Sequence, residues 1–290
     1  MGFEQWISQN ESVIRLSFFI GVFVLVTLWE FIAPRRALTL SRKIRWVNNL
    51  GLVVFNTFLL RVLFPTATVG VAAYATEVHW GLLNLYEIPF TLAVVLSIIA
   101  LDFIIYLQHV LVHAVPILWR LHRVHHADLD YDVTTGARFH PIEIILSMLI
   151  KFATIVVLGP PVIAVIIFEV ILNAMAMLNH GNVKLPLSVD KLLRLLVVTP
   201  DMHRVHHSVE DDEANSNFGF NLSIWDRLFG TYRDQPRGGH EGMKIGIRQY
   251  RELQQVAWLS GMLTLPFNKI SGYAINLRHW ENRQKCEANE

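Results

Sequence analysis

Ten of the chain's 13 histidines fall in one stretch, between residues 109 and 207, at spacings suited to metal ligation. His109 and His113 form a pair; His122, His125 and His126 form a triplet, and His203, His206 and His207 form another. His140 and His180 stand singly. Residues three or four apart share a helix face, so the pair projects together and each triplet presents three imidazoles from about one turn. The string His122-Arg123-Val124-His125-His126 recurs letter for letter as His203-Arg204-Val205-His206-His207, 81 positions later, which suggests two matching halves of one site. A lone histidine is more often an ordinary polar residue than a ligand, and His79, His240 and His279, which join no cluster, are read as surface or interfacial residues. Eight clustered imidazoles are too many for one transition ion, which takes about four to six ligands, and suit two ions. Imidazole accepts Fe, Zn, Cu and Ni, so ligand type alone leaves the metal open. The only cysteine is Cys286, which excludes a Cys-ligated zinc site, an iron–sulfur cluster and an internal disulfide.

Apolar helices must position these residues. Of the 290 residues, 53% are hydrophobic and 17% charged, and mean hydropathy is +0.38, which describes a membrane protein. A formal net charge of +1 gives no reason to expect a nucleic-acid partner. Crossing roughly 30 Å of hydrocarbon takes about 20 apolar residues in helix. The first such run, Val13 to Ala33, is followed by Arg35 and Arg36 and reads as a retained anchor, since the charge follows the run and no cleavage pattern does. The second, Val47 to Tyr74, contains Arg61 and Pro65 and reads as a kinked or tilted span. The third, Ile88 to Val112, carries Asp102 and His109, and the fourth, Ile142 to Leu178, is broken at Gly159-Pro160-Pro161 into a helical hairpin. The expected fold is therefore all-α: a multi-pass bundle of about three spans plus a hairpin, with a helical cap that carries the histidine motifs.

Basic residues cluster between the first two runs (Arg35, Arg36, Arg42, Lys43, Arg45) and after the third (Arg120, Arg123, Arg138), which puts both connections, the cap and the chain after Leu178 on the cytoplasmic side. Val256 to Phe267 is short for a span and reads as an interfacial helix. Four regions follow: residues 1–46, an anchor span and basic loop; 47–89, a second span and interfacial segment; 90–232, the histidine-bearing region; and 233–290, a cytoplasmic tail. A carboxylate within a span needs a partner or a cavity, and Asp102 lies on the helix face of His109, seven residues away. It is expected to accept a hydrogen bond from a ligand imidazole, with an ion pair to an arginine such as Arg61 as the plainer role. Arg120, Arg123 and Arg204 are read either as holding a lipid head group or as anchors at the membrane surface.

In the order and spacing of its eight clustered histidines the chain resembles the fatty acid hydroxylase and sterol desaturase superfamily of integral-membrane di-iron oxygenases. The signature is His-x3-4-His followed by two His-x2-3-His-His motifs, and the words Leu118-Trp119-Arg120, Arg138-Phe139-His140-Pro141, Thr199-Pro200-Asp201-Met202-His203 and Trp225-Asp226-Arg227-Leu228-Phe229-Gly230-Thr231-Tyr232 are also similar. The resemblance covers about Phe90 to Tyr232. It implies two Fe ions, with Zn as a possible substitute, that activate O2 and act on an unactivated C–H bond of a fatty acyl, sterol or related lipid by hydroxylation or desaturation. It also implies His180 as the extra ligand between the triplets, whereas His140 falls where some members have none. Asn217, Trp225 and Asp226 lie in the tail of the pattern and line or pack the site, and no catalytic side chain beyond the metal ligands is implied. The sequence contains no fused haem motif, nucleotide fingerprint or Cys-rich cluster, so electrons must come from a separate donor of cytochrome b5 or ferredoxin type. A carotenoid or ether-lipid monooxygenase would use the same motifs. In another class, a metal transporter would spread ligands near mid-membrane over several spans and a haem carrier would offer paired axial histidines, whereas these ligands gather at one surface. A zinc hydrolase would show a string such as His-Glu-x-x-His, and there is none. The lack of an ER-retrieval signal and of fused donor domains leans the expected location to a bacterial inner membrane over the ER.

Overall fold

The structure, a computed structural model, describes residues 6–7, 9–64 and 66–268. His279 and Cys286 lie outside the described residues, as does Pro65, where the kink was expected. Helices α1 (Glu11–Ile32), α2 (Arg42–Leu63), α3 (Ala67–Glu77), α4 (Phe90–Ala114), α5 (Pro116–His126), α6 (Pro141–Leu158), α7 (Val162–Asn179), α8 (Leu187–Leu193) and α9 (Pro200–His206) follow in order. Short helical turns come after them, and the described residues form isolated antiparallel bridges but no β-strand. Five stretches are long and apolar enough to cross a membrane: α1, the stretch Arg42–Asn84 that includes α2 and α3, α4, α6 and α7. The α6–α7 hairpin turns where the sequence predicts. Gly159 closes α6 at φ +66°, and a Cβ there would come within 2.5 Å of the Trp80 carbonyl and the Asn84 side chain, so glycine is required twice over.

The bundle core lies between α3, α4, α6 and α7, where Ala72, Leu101, Ile105, Ile155, Val165 and Phe168 pack together. Most apolar side chains of α1 instead point outward, Leu16, Leu25 and Ile32 among them, as lipid-facing positions do. Inside the bundle, Glu169 accepts from Thr68 Oγ1 at 2.7 Å and is paired with Lys151 at 3.3 Å and Arg15 at 3.1 Å, which compensates a carboxylate in an apolar span.

The cap gathers at the end of the bundle where α1, α4 and α7 finish, and buried ion pairs fasten it there. Arg45 of α2 makes two 2.8 Å bonds to Asp128 and also pairs with Asp132. Glu30, near the end of α1, accepts from the backbone amides of Val133 at 2.7 Å and Asn182 at 2.8 Å, and Asp130 accepts from the amides of Thr39 and Leu40. These contacts bring the 33–45 connection, the loop after the first triplet and the residues after α7 to one end. Residues 256–267 differ from the sequence reading. The stretch breaks at Ala257-Trp258, after which a short helix, Leu259–Thr264, runs directly into the turn Leu265–Phe267; Met262 and Leu265 are buried with Leu52 and Val124, so the segment braces α2 and α5.

Candidate metal centre

Four elements deliver nine histidines to one buried volume: α4 supplies His109 and His113, α5 the first triplet, the turn after α7 His180, and α9 with its C-terminal residue the second triplet. Pro116 and Pro200 start α5 and α9 at positions where a helix lacks an amide partner anyway, and Thr199 caps α9 by accepting from the Met202 amide at 3.3 Å. The nine fall into two groups, each with its candidate ligand atoms within 4.8 Å of one another: His109, His113, His122, His126 and His206 in one, and His125, His180, His203 and His207 in the other. The two copies of the repeated string do not each form one group. Each contributes to both groups: the first copy gives His122 and His126 to one and His125 to the other, and the second gives His206 to the first and His203 and His207 to the second. The groups abut: the His126 and His207 rings stack at 4.5 Å with 13° between their planes.

Backbone carbonyls determine which imidazole nitrogens are bare. A carbonyl only accepts, so the ring nitrogen facing it must carry the proton. His109 Nδ1 donates to Phe218 O at 2.8 Å, His206 Nδ1 to Ser216 O at 2.7 Å and His180 Nδ1 to Ala176 O at 2.7 Å, which leaves the three Nε2 atoms as lone pairs when the rings are neutral. His109 Nε2 and His206 Nε2 nevertheless face each other at 2.9 Å. In the other group, the Nε2 atoms of His125, His203 and His207 all lie 3.1–3.2 Å from the single lone pair of His180 Nε2, which one proton donor would saturate. Two bare lone pairs at 2.9 Å repel unless a cation lies between them. Metal–imidazole bonds of about 2.1 Å place neighbouring ligand nitrogens roughly 3.0 to 3.4 Å apart, close to the separations seen, so the residues present fit transition ions.

Protonation does not compete. Burial, reinforced by neighbouring imidazoles, pushes His125, His126, His203 and His207 well below the usual imidazole range. Burial also pushes His206 down to about 3 and His180 to about 4. At neutral pH these rings are in the ligand form.

Other residues singled out from sequence lie elsewhere. His140 joins neither group: it caps α6, with Nδ1 accepting from the Ile142 amide at 3.2 Å and Nε2 3.3 Å from Leu263 O. Asp102 is not bonded to an imidazole or to Arg61. Its Oδ2 accepts from Trp225 Nε1 at 2.8 Å and from the Leu222 amide at 3.3 Å, so it holds the loop that packs over α4. Asn217, at φ +53°, is a clasp: Nδ2 donates to Met202 O and Arg233 O, and Oδ1 accepts from the Arg233 amide. Its left-handed backbone aims the carbonyls on either side, those of Ser216 and Phe218, at His206 and His109. Asp226 completes the loop by accepting from the amides of Phe218 and Gly219, both at 2.7 Å.

Arg123 and Arg204 are fully buried, bonded to backbone carbonyls and, for Arg204, paired with Asp201, so neither is placed to meet a lipid head group. Arg120 donates to Pro266 O at 2.7 Å. His240 is buried 3.5 Å from Asp201, not at the surface, whereas His79 is exposed.

One functional side chain escaped the sequence reading. Glu143, buried in the first turn of α6, places Oε1 2.6 Å from His122 Nδ1, the carboxylate-to-imidazole contact that had been expected of Asp102. A carboxylate opening an apolar helix was a readable signal. The carbonyls of Ala176, Ser216 and Phe218 had none, because every residue type carries one. Phe139, which lies in one of the similar words, stacks its ring on His125 at 4.5 Å and 10°.

Residues 94–231 match the fatty acid hydroxylase family. Over 177 residues the chain is 33% identical to an ornithine lipid hydroxylase of Rhizobium tropici, covering 60% of this chain and 51% of that protein. It is 28% identical over 213 residues to an alkylglycerol monooxygenase of Xenopus tropicalis, covering 71% of this chain and 46% of that one. It is 31% identical over 159 residues to a fatty acid hydroxylase of a Lecanicillium species, covering 50% and 43%. The chain thus spans about half the length, or less, of these relatives. No solved structure gives a significant match. The matched region, just under half of the chain, holds all nine grouped histidines, and over it the chain is similar to the fatty acid hydroxylase family.

Proposed function

We propose that this chain is an O2-dependent, membrane-embedded lipid hydroxylase whose nine grouped histidines hold two iron ions. The observation that carries the reading is the facing pair of bare nitrogens, His109 Nε2 and His206 Nε2 at 2.9 Å, each deprived of its proton by a backbone carbonyl on its far side. Such a pair is stable only around a cation. Iron bound there supplies the redox chemistry with O2 that side chains lack.

The chain's own residues set the conditions for that chemistry. Phe218 O, Ser216 O and Ala176 O fix tautomer and ring orientation, and Glu143 raises the basicity of His122. Burial keeps His125, His126, His180, His203, His206 and His207 neutral and bulk water out. Five histidines in one group and four in the other support two ions, and hydroxylation is preferred over desaturation because the relatives are named hydroxylases and monooxygenases. The substrate class is a lipid with a long hydrocarbon chain, reached from the bilayer. A separate donor protein of cytochrome b5 or ferredoxin type brings electrons to the cap. Arg35, Arg36, Arg42 and Lys43 lie at the cap end and support its placement on the cytoplasmic side.

The test is a lipid profile of cells expressing the wild-type chain or the His206→Ala variant, together with metal analysis of both purified proteins. A lipid gaining one oxygen only with the wild type, and about two irons per chain, is expected. Loss of two hydrogens would establish desaturation instead, and a metal-free wild type with intact fold would overturn the di-iron reading.

A further inference from the structure

The cap does not simply sit above the bundle. Asp102 lies twelve residues before the last residue of α4, about 18 Å along the helix from its cap end at 1.5 Å per residue. The cap loop reaches down to it: Leu222 N and Trp225 Nε1 bond its carboxylate. The Trp225 and Phe229 rings pack against Phe103 at 4.8 Å and 5.8 Å, and Tyr106 bonds Thr231 at 3.1 Å. The chain after α8 travels with this loop, since Val198 N bonds Asn221 O at 2.9 Å and Ser223 N bonds Leu196 O at 3.1 Å. These bonds satisfy the irregular backbone internally, which is the condition for placing it in hydrocarbon.

The outer face of the same two segments is apolar and open. Leu187, Leu192, Leu195, Leu196, Leu228 and Phe229 are each at least 55% exposed, and Leu96 and Ile99, one to two turns before Phe103 on the same face of α4, are exposed as well. A patch of this kind on a soluble surface would be unusual. The charges of residues 187–196 and 224–229 are sorted as well: Asp190, Arg194 and Asp226 are buried, and the exposed charges, Lys191 and Arg227, are both cationic. Cationic side chains beside an apolar face suit anionic head groups above acyl chains.

We propose that residues 187–196 and 224–229 form a lipid-embedded rim of the cap, a re-entrant surface whose partner is the acyl region of the bilayer, with Lys191 and Arg227 at head-group level. The rim lowers the 216–218 loop, and with it the carbonyls that orient His206 and His109, to the depth of lipid tails. The proposal rests on the membrane reading of the helices and is independent of metal identity.

The test uses the full chain in nanodiscs containing phosphatidylglycerol, in a Cys286→Ser background with one nitroxide-labelled cysteine at a time. Leu192→Cys, Leu196→Cys and Leu228→Cys report on the rim, Leu25→Cys on the outward face of α1, and Asp211→Cys on the exposed cap. Relaxation by dissolved O2 exceeding that by a water-soluble nickel chelate severalfold at the three rim sites, as at Leu25, is the expected result. Nickel-dominated relaxation at the rim sites, matching Asp211 while Leu25 stays oxygen-dominated, would overturn the rim alone. The same result at Leu25 too would overturn the membrane reading with it.

Discussion

The five-histidine and four-histidine groups draw on the same repeated string, yet they are held in different ways. In the five-histidine group, three rings are fixed from behind: His109 by Phe218 O, His206 by Ser216 O and His122 by Glu143. In the four-histidine group, among the described residues, His180 alone has such an anchor, while the buried Nδ1 atoms of His125, His203 and His207 have no hydrogen-bond partner there. Those three rings are kept in place by packing instead, His125 against Phe139, His207 against His126 and His203 against His206. Groups behind a ligand ring fix its orientation and raise its basicity. The five-histidine group is therefore held mainly by polar anchors and the four-histidine group mainly by stacking. A repeated motif has produced an asymmetric pair.

The largest effects should come from the ligands, and they should differ between groups in metal content. His206→Ala and His125→Ala are both expected to abolish O2-dependent turnover. Metal analysis should find His125→Ala retaining the ion of the five-histidine group, whereas His206→Ala, which also leaves the Ser216 carbonyl without its donor, should retain less. Equal metal loss in the two variants would break the asymmetry.

Glu143→Ala should lower activity or metal affinity by roughly 10- to 100-fold, with Glu143→Gln intermediate. Mössbauer spectra should shift for one iron environment only; equal shifts in both would show that Glu143 does not distinguish them. A smaller effect is expected at Asn217. Asn217→Ala removes the clasp that aims two carbonyls and should destabilise the cap by about 1–3 kcal/mol, as measured by thermal unfolding. Asn217→Asp, which tolerates the left-handed backbone and keeps an acceptor for the Arg233 amide, should recover part of the loss.

The smallest effect concerns pH. Burial alone would raise the Asp128 carboxyl, but Arg45 and Arg138 outweigh it and hold it well below the usual carboxylate range. A carboxyl depressed in the fold contributes stability that is fully present above its unfolded value of about 3.9 and is lost as pH falls toward the folded value. The unfolding midpoint should therefore decline below about pH 4. Asp128→Asn should lower the midpoint at neutral pH and flatten that acid slope, and an unchanged slope would exclude Asp128 as its source.

Periodicity and composition made much of this architecture readable. The apolar runs gave the spans, Gly159-Pro160-Pro161 gave the hairpin, and helical spacing gave the histidine clusters. How the triplets divide was less accessible, because which of His122, His125 and His126 shares a pocket with His206 depends on the crossing of α5 and α9, a tertiary property. Asp102 misled for a related reason: helical spacing placed it on the face of His109, but a loop 120 residues away claimed its carboxylate. Arg123 and Arg204 looked like surface cations because a buried guanidinium needs several carbonyls or a carboxylate around it, and nothing local predicts that supply. Val256 to Phe267 has the length and apolarity of an interfacial helix, but its breaks turn Met262 and Leu265 inward.

The buried pairs between the cap and the first two helices bear on where the histidine-bearing unit begins. Asp128 and Asp132 depend on Arg45, Asp130 on the amides of Thr39 and Leu40, the Val133 and Asn182 amides on Glu30, and Asp201 in part on Arg35. None of those partners lies within residues 94–231, and stripping one member from a buried ion pair typically costs about 3–5 kcal/mol. The stretch that similarity delimits is therefore shorter than the stretch that can fold. Domain grafting or truncation should take its boundary upstream of Glu30, and during synthesis the cap can close only on an N-terminal segment that is already in place.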